Sequence, residues 1–117
     1  MKRGDVFCAD LEPIAGAEAN RTRPVVLVGN NASLGAADRF QRGVVTVVPM
    51  TRNLSVRGPM HVVVEANGLN GLRETSKMQV EQIRAIDISR LRTRLGKLGA
   101  NNAAELNTAL RHHFSLS

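Results

Sequence analysis

The sequence contains neither tryptophan nor tyrosine, and only three phenylalanines. An aromatic platform on which successive unpaired bases could stack is therefore poorly supplied. A single cysteine, Cys8, excludes an intrachain disulfide framework. It reads as a small core residue, because a catalytic thiol needs a neighbouring base and the surrounding sequence offers none. No apolar run approaches the roughly 18 residues of a membrane span, and Met1-Lys2-Arg3-Gly4 does not open a signal peptide, so the chain reads as cytoplasmic. Repeats, low-complexity tracts and linkers are absent too. The 117 residues read as one domain, 1–117, large enough to bury about two-thirds of its unfolded surface.

What the chain does hold is positive charge, a formal +6 at pH 7 with a pI near 11.0. That balance points to a polyanionic partner, most simply nucleic acid. Of the 16 basic side chains, Lys2, Lys77 and Lys97 are lysines and the rest arginines. A planar guanidinium can grip phosphate with two parallel hydrogen bonds and stack on a base, which an ammonium cannot. A GC-rich coding bias would favour arginine as well.

Periodicity predicts a mainly β chain. Strands are expected at 4–10, 25–28, 44–50 and 60–65, with Val6 and Cys8 facing opposite to Phe7 and Ala9. Pro24 suits a strand's first position and biases Arg23 toward extended backbone, which fixes Arg23 at the strand mouth. Residues 11–22 form a loop long enough to suspect of function, carrying Glu12, Glu18 and Arg21. A short helical turn is expected near 36–40. The two Asn-Gly pairs of 67–71 signal turns. Further strands are expected at 75–79 and 82–86, either as two strands or as one long strand bent near Glu81, followed by a tight turn at 87–90 and a last strand at 91–98. A C-terminal helix is expected with Asn102 as its cap, Glu105 as capping-box partner, and Leu106, Ala109, Leu110, His113 and Phe114 on one stripe. Short strands plus one terminal helix imply a small barrel with a helix packed on it.

Most catalytic constellations are missing. His112 and His113 project about 100° apart on a helix and cannot clamp one ion, and His61 stands alone on a strand. There is no Gly-x-Ser-x-Gly, and no Gly-Lys-Ser/Thr follows either glycine cluster. What remains is a basic, metal-free set around Arg23, Thr51, Gln79 and Glu81. Such a set suits RNA cleavage, because the ribose 2′-hydroxyl is a built-in nucleophile. The protein then has only to align it, move protons and neutralise charge on the phosphate.

The chain resembles the MazF/PemK (Kid) family of toxin endoribonucleases over nearly its whole length. The resemblance is carried by Arg3-Gly4-Asp5-Val6 with Asp10-Leu11, Gly16-Ala17-Glu18, Arg23-Pro24-Val25-Val26, Val48-Pro49-Met50-Thr51, and Glu81-Gln82-Ile83-Arg84 with Ile86-Asp87. It implies an SH3-like barrel of mainly β with α, the plasmid-maintenance toxin fold, with a C-terminal helix. It also implies a type II toxin that dimerises, cleaves single-stranded RNA at short sequences without a metal or other cofactor, and is silenced by a MazE-like antitoxin through an acidic C-terminal segment. With that antitoxin it would also reach operator DNA. The family's catalytic roles fall on Arg23 and Thr51, and Glu18, Glu81 and Gln79 match supporting positions. Gln79 and Ala17 stand where the Kid branch has arginine and histidine, so that branch's proton-transfer scheme does not carry over.

Guanidinium groups stay protonated in proteins, which assigns Arg23 to phosphate charge and the leaving oxygen, with Thr51 donating to a non-bridging oxygen. Glu18, Glu81, a substrate phosphate oxygen and, less directly, His61 are the candidate proton acceptors. Arg21, Asn30, Arg52, Asn53 and Gln79 are candidates for RNA contact, since amides and guanidinium can read unpaired bases. The plainer readings are a surface ion pair of Glu81 with Arg84 or Arg73, and Thr51 as an ordinary strand end. Two rival functions use the same fold. A CcdB-like gyrase poison is disfavoured, because its C-terminal Trp-Gly-Ile is absent from a chain ending Phe114-Ser115-Leu116-Ser117. A silent RNA- or operator-binding module would keep the basic face without depending on Thr51.

Overall fold

The computed structural model describes residues 1–11, 22–55 and 58–117. Its elements run β1 (Asp5–Asp10), β2 (Thr22–Leu27), α1 (Asn31–Phe40), β3 (Val44–Thr51), β4 (His61–Val64), β5 (Ser76–Gln79), a 3-10 turn (Val80–Gln82), β6 (Arg84–Asp87), a second 3-10 turn (Ile88–Arg90), β7 (Leu91–Lys97) and α2 (Ala100–His113). Every ladder is antiparallel, and the strands lie in the order β4-β5-β3-β2-β1-β7 with β6 also on β3. This is the small β fold with a C-terminal helix expected from the strand pattern.

Alternation along the central strands builds two cores. Val6, Val26, Val28, Val48 and Met50 face one side, where β4, β5 and the Leu106 and Ala109 face of α2 pack on them. Phe7, Ala9, Val25, Leu27, Val45 and Val47 face the other, covered by Leu34 and Ala37 of α1 and by Ile86 and Ile88. A strand covered on both faces reads as a nearly continuous apolar run, which is what Val25–Val28 and Val44–Met50 are. Val44 itself, at the sheet margin, is 63% exposed.

Arg3 and Gly4 set the entry to β1. Gly4 adopts φ +92°, a conformation open to glycine and strained for other residues. The Arg3 guanidinium reaches the Val28 carbonyl and, at 2.8 Å, Asn107 on α2. A second close approach joins the 67–71 turn to β7, where a Cβ at Gly96 would lie 2.1 Å from the Leu69 carbonyl oxygen. The Asn67 side chain holds that turn by accepting from the Leu69 and Asn70 amides at 2.9 and 2.8 Å.

Both helices differ from expectation. In place of a short turn, α1 runs ten residues, because the Asn30 side chain caps it by accepting from the Ser33 amide at 2.8 Å. α2 starts before Asn102, with Gly99 at its N-cap. Asn102 sits inside the first turn and bonds Glu105 at 2.8 Å and the Val63 carbonyl at 3.4 Å, so it ties the helix to β4 instead of capping it. Phe114 is the C-cap residue and is 52% exposed, off the buried stripe. The bend near Glu81 is the first 3-10 turn, which lets one edge of β3 carry β6 at Val44–Val47 and β5 at Met50–Thr51.

Candidate active site

The site begins where the β2–β3 ladder stops. Its register pairs Leu27 with Val47, Val26 with Val48 and Val25 with Pro49. One pair before these, the Val28 amide donates to the Thr46 carbonyl at 3.0 Å. Hydrogen-bonded pairs recur at every second position of an antiparallel ladder, so the next such pair after Val26/Val48 would be Pro24/Met50. Proline has no N–H to give. The ladder therefore ends there, and the strands part with Arg23 and Thr51 as the next opposed positions on one sheet face.

Pro24 is thus the third residue of β2, not its first as expected. Beyond Val25 the strand pairs only with β1, where Arg23 meets Ala9 and Pro24 meets Cys8. Edge pairing of this kind tolerates proline. Pro49, opposite Val25, lies on the other edge of β3 between the β6 and β5 partners, where a missing donor again breaks no ladder bond.

The parted strands open a groove of about 700 Å³ lined by Arg23, Thr51, Arg52, Asn53, Arg73 and Glu74, with Cys8, Pro24, Met50, Leu72 and Leu95 among its apolar walls. The Arg23 side chain is exposed and makes no hydrogen bond or ion pair among the described residues. The Thr51 hydroxyl accepts from the Asn53 amide at 3.2 Å, which orients its oxygen and leaves its hydrogen to donate outward. Asn53 turns its own amide oxygen to Ser55, at 3.0 Å to the amide and 2.6 Å to the hydroxyl, so its NH₂ is what it offers to a ligand. Arg52 is held by Glu74 at 2.5 Å on the groove's rim. Cys8 is half-buried and part of the wall, not of the core as expected, because its cross-strand neighbour is Pro24 at the open end of the sheet.

Gln79, His61 and Glu81 form a second cluster. Thr51 pairs with Lys77, Lys77 with Val63, and Gln79 with His61, so these side chains share a sheet face. Diagonal neighbours on such a face lie about 7–8 Å apart, which places Gln79 beside Thr51 but outside the residues that line the groove. The His61 ring accepts the Gly58 amide at Nδ1, 3.1 Å, and faces Glu81 Oε2 from Nε2 at 2.8 Å. A neutral imidazole with Nδ1 accepting must carry its proton on Nε2, so His61 donates to Glu81. Both ring nitrogens are engaged. Glu81 pairs with His61, and neither with Arg84 nor with Arg73; Arg84 donates to the Leu11 carbonyl at 3.3 Å instead. The Gln79 amide oxygen is buried and has no partner among the described residues.

Asn30 lies past the opposite end of β2, where it caps α1. The structure does not bring it to the groove. Glu18 and Arg21 fall outside the described residues. The sequence offered Arg73 only as an ion-pair partner for Glu81 and did not single out Glu74. The signal for them was the Asn-Gly turn, which delivers the residues just before β5 to the end of β3. Near the second 3-10 turn, Asp87 is held below the ordinary carboxylate range by the Ser89 hydroxyl, then the Ser89 amide, with Arg90 adding attraction. Among the described residues no three His, Cys, Asp or Glu side chains gather to hold a metal ion, and no helix is long and apolar enough to cross a membrane.

Comparison with known proteins gives a consistent answer. Residues 2–114 match the family described as PemK-like, MazF-like toxin of type II toxin-antitoxin system. The endoribonuclease MazF9 of Mycobacterium tuberculosis is 41% identical over 116 residues, which is 99% of this chain and 98% of that protein. Among solved structures, the Mycobacterium tuberculosis toxin MazF-mt6 superposes with a TM-score of 0.73 at 26% identity, over 97% of this chain and 98% of the other. A mycobacterial endoribonuclease solved with its cognate antitoxin shares the fold, with a TM-score of 0.75 at 23% identity over 100% and 97% of the two chains.

Proposed function

The chain belongs to the PemK/MazF family of type II toxin–antitoxin toxins, and from that premise we propose that it is a single-domain endoribonuclease acting in the cytoplasm on single-stranded RNA at short sequences, to stop translation and growth. The observation that carries this reading is the juxtaposition of Arg23 and Thr51 across the groove left open by Pro24.

The ribose 2′-oxygen attacks the adjacent phosphorus, the bond from phosphorus to the 5′-oxygen breaks, and a 2′,3′-cyclic phosphate and a 5′-hydroxyl result. The 2′ proton passes to an acceptor, and the leaving 5′-oxygen takes up a proton. Arg23 stabilises the charge on the phosphoryl oxygens and stands beside the leaving oxygen. Thr51, its oxygen fixed by the Asn53 amide, donates to a non-bridging oxygen. One preorganised donor of this kind contributes about 10² to 10³ in rate. His61 is no free base, since both its nitrogens are engaged. Glu81 has a second carboxylate oxygen to offer, and the substrate's own phosphate oxygen is the nearer acceptor; Glu18 is the third candidate. No step calls on a metal.

Arg52 and the Asn53 amide, with Gln79 on the adjoining face and Arg21, are the side chains to contact the flanking nucleotides. The chain works as a dimer, and a MazE-like antitoxin lays an acidic extended segment over the same basic groove and excludes RNA. The complex of the two then binds operator DNA. This partnership rests on the family's own description and on charge, with a formal +6 on this chain.

The test is a long defined RNA incubated with the purified chain in EDTA, with both ends of each fragment mapped. Cuts at a recurrent short sequence, each leaving a cyclic phosphate and a 5′-hydroxyl, support the proposal. Intact RNA, or cleavage that chelation abolishes, contradicts it.

A further inference from the structure

On the groove's rim an acidic side chain occupies a basic one. Arg52 follows Thr51 directly at the end of β3, and its Nη1 lies 2.5 Å from Oε2 of Glu74. Both residues line the groove that holds Arg23 and Thr51. The Glu74 backbone is fixed, because its carbonyl accepts the hydroxyl of the buried Ser76 at 3.0 Å. The Arg52 and Glu74 side chains are 72% and 56% exposed. An ion pair so exposed contributes little to stability, so it is readily exchanged.

Resting on the RNA-cleaving function proposed above, we infer that Glu74 stands in for an RNA phosphate. Its carboxylate holds the Arg52 guanidinium where a phosphodiester flanking the scissile bond docks, and RNA must displace it. Carboxylate and phosphate present the same paired oxygens to a guanidinium fork, so the two compete for the Nη1 hydrogen that Glu74 holds. Glu74 therefore acts in two opposed ways. It prealigns Arg52 beside Thr51, and it lowers RNA affinity by competing for that guanidinium. It is a positioning residue that sets how tightly the groove takes substrate.

The experiment is a cycle of wild type, Glu74→Gln, Arg52→Ala and the double variant, with Kd measured for a short single-stranded RNA carrying the mapped cut site, KM and kcat measured on the same RNA, and each repeated at low and high salt. Glu74→Gln is expected to tighten Kd and lower KM by about two- to fivefold, the scale of one exposed charge, with kcat moving less than KM. The gain should fade at high salt and vanish when Arg52 is already alanine. Unchanged or weaker binding in Glu74→Gln overturns the inference, as does a full gain in the Arg52→Ala background, which would be charge acting at a distance. Wild-type protein that neither binds nor cuts this RNA overturns the functional reading itself, a result separate from either.

Discussion

Arg23 and Thr51 are the first opposed pair beyond the point at which Pro24 cuts the β2–β3 ladder. Two strands that pair continuously would bring these side chains together over a closed sheet. Parted, they flank a groove of about 700 Å³. A missing backbone donor thus creates the opening, and the rigid ladder behind it fixes both flanks.

That relationship makes Pro24 functional through its backbone. Pro24→Val restores an N–H opposite the Met50 carbonyl and should extend the ladder by one rung. The new amide should be protected from hydrogen exchange, and RNA cleavage should slow as the groove narrows. An unprotected amide with full activity would contradict the argument.

His61 lends Glu81 a proton donor and keeps no free nitrogen for chemistry. His61→Asn is expected to reduce kcat by less than about tenfold. A lost general base would cost about 10² to 10⁴.

Gly96 is required by packing. With 2.1 Å between a new Cβ and the Leu69 carbonyl oxygen, Gly96→Ala must push the 67–71 turn off β7. Such overpacking costs about 1–3 kcal/mol, which a thermal melt reads as a loss of roughly 4 °C per kcal/mol at this chain length.

Asp87 contributes stability that depends on pH. Its carboxylate is depressed in the folded chain by the Ser89 hydroxyl and amide and by Arg90. A depressed acid stabilises the fold above its unfolded pKa and loses that contribution as pH falls through the folded value. Asp87→Ala should therefore lower the melting temperature at pH 7, and the gap from wild type should close in acid, below the ordinary carboxylate range. A gap constant with pH would assign the effect to something other than this charge.

The strands were legible in the sequence because both faces of the central sheet are covered, which turns Val25–Val28 and Val44–Met50 into continuous apolar runs. The bend near Glu81 was legible from the break between the strands expected at 75–79 and 82–86. The helices were less so. The cap of α1 lies at Asn30, six residues before the expected turn, and Asn102 imitates a cap while serving as a tie to β4. In the site, Arg23 and Thr51 could be placed at strand ends from local pattern alone. Their opposition could not, because it depends on the register between β2 and β3. The same holds for Glu74 and His61, whose partners Arg52 and Glu81 lie 22 and 20 residues away in sequence.

The most direct measurement of the central claim is a double-mutant cycle on RNA cleavage, with Arg23→Ala, Thr51→Ala and the double variant compared at saturating substrate. Residues acting as one unit on one phosphate are strongly non-additive. Each single variant should lose about 10² or more, and the double little more than the worse single. Losses that multiply, or near-wild-type turnover in either single variant, would show that the two side chains do not serve the same scissile bond.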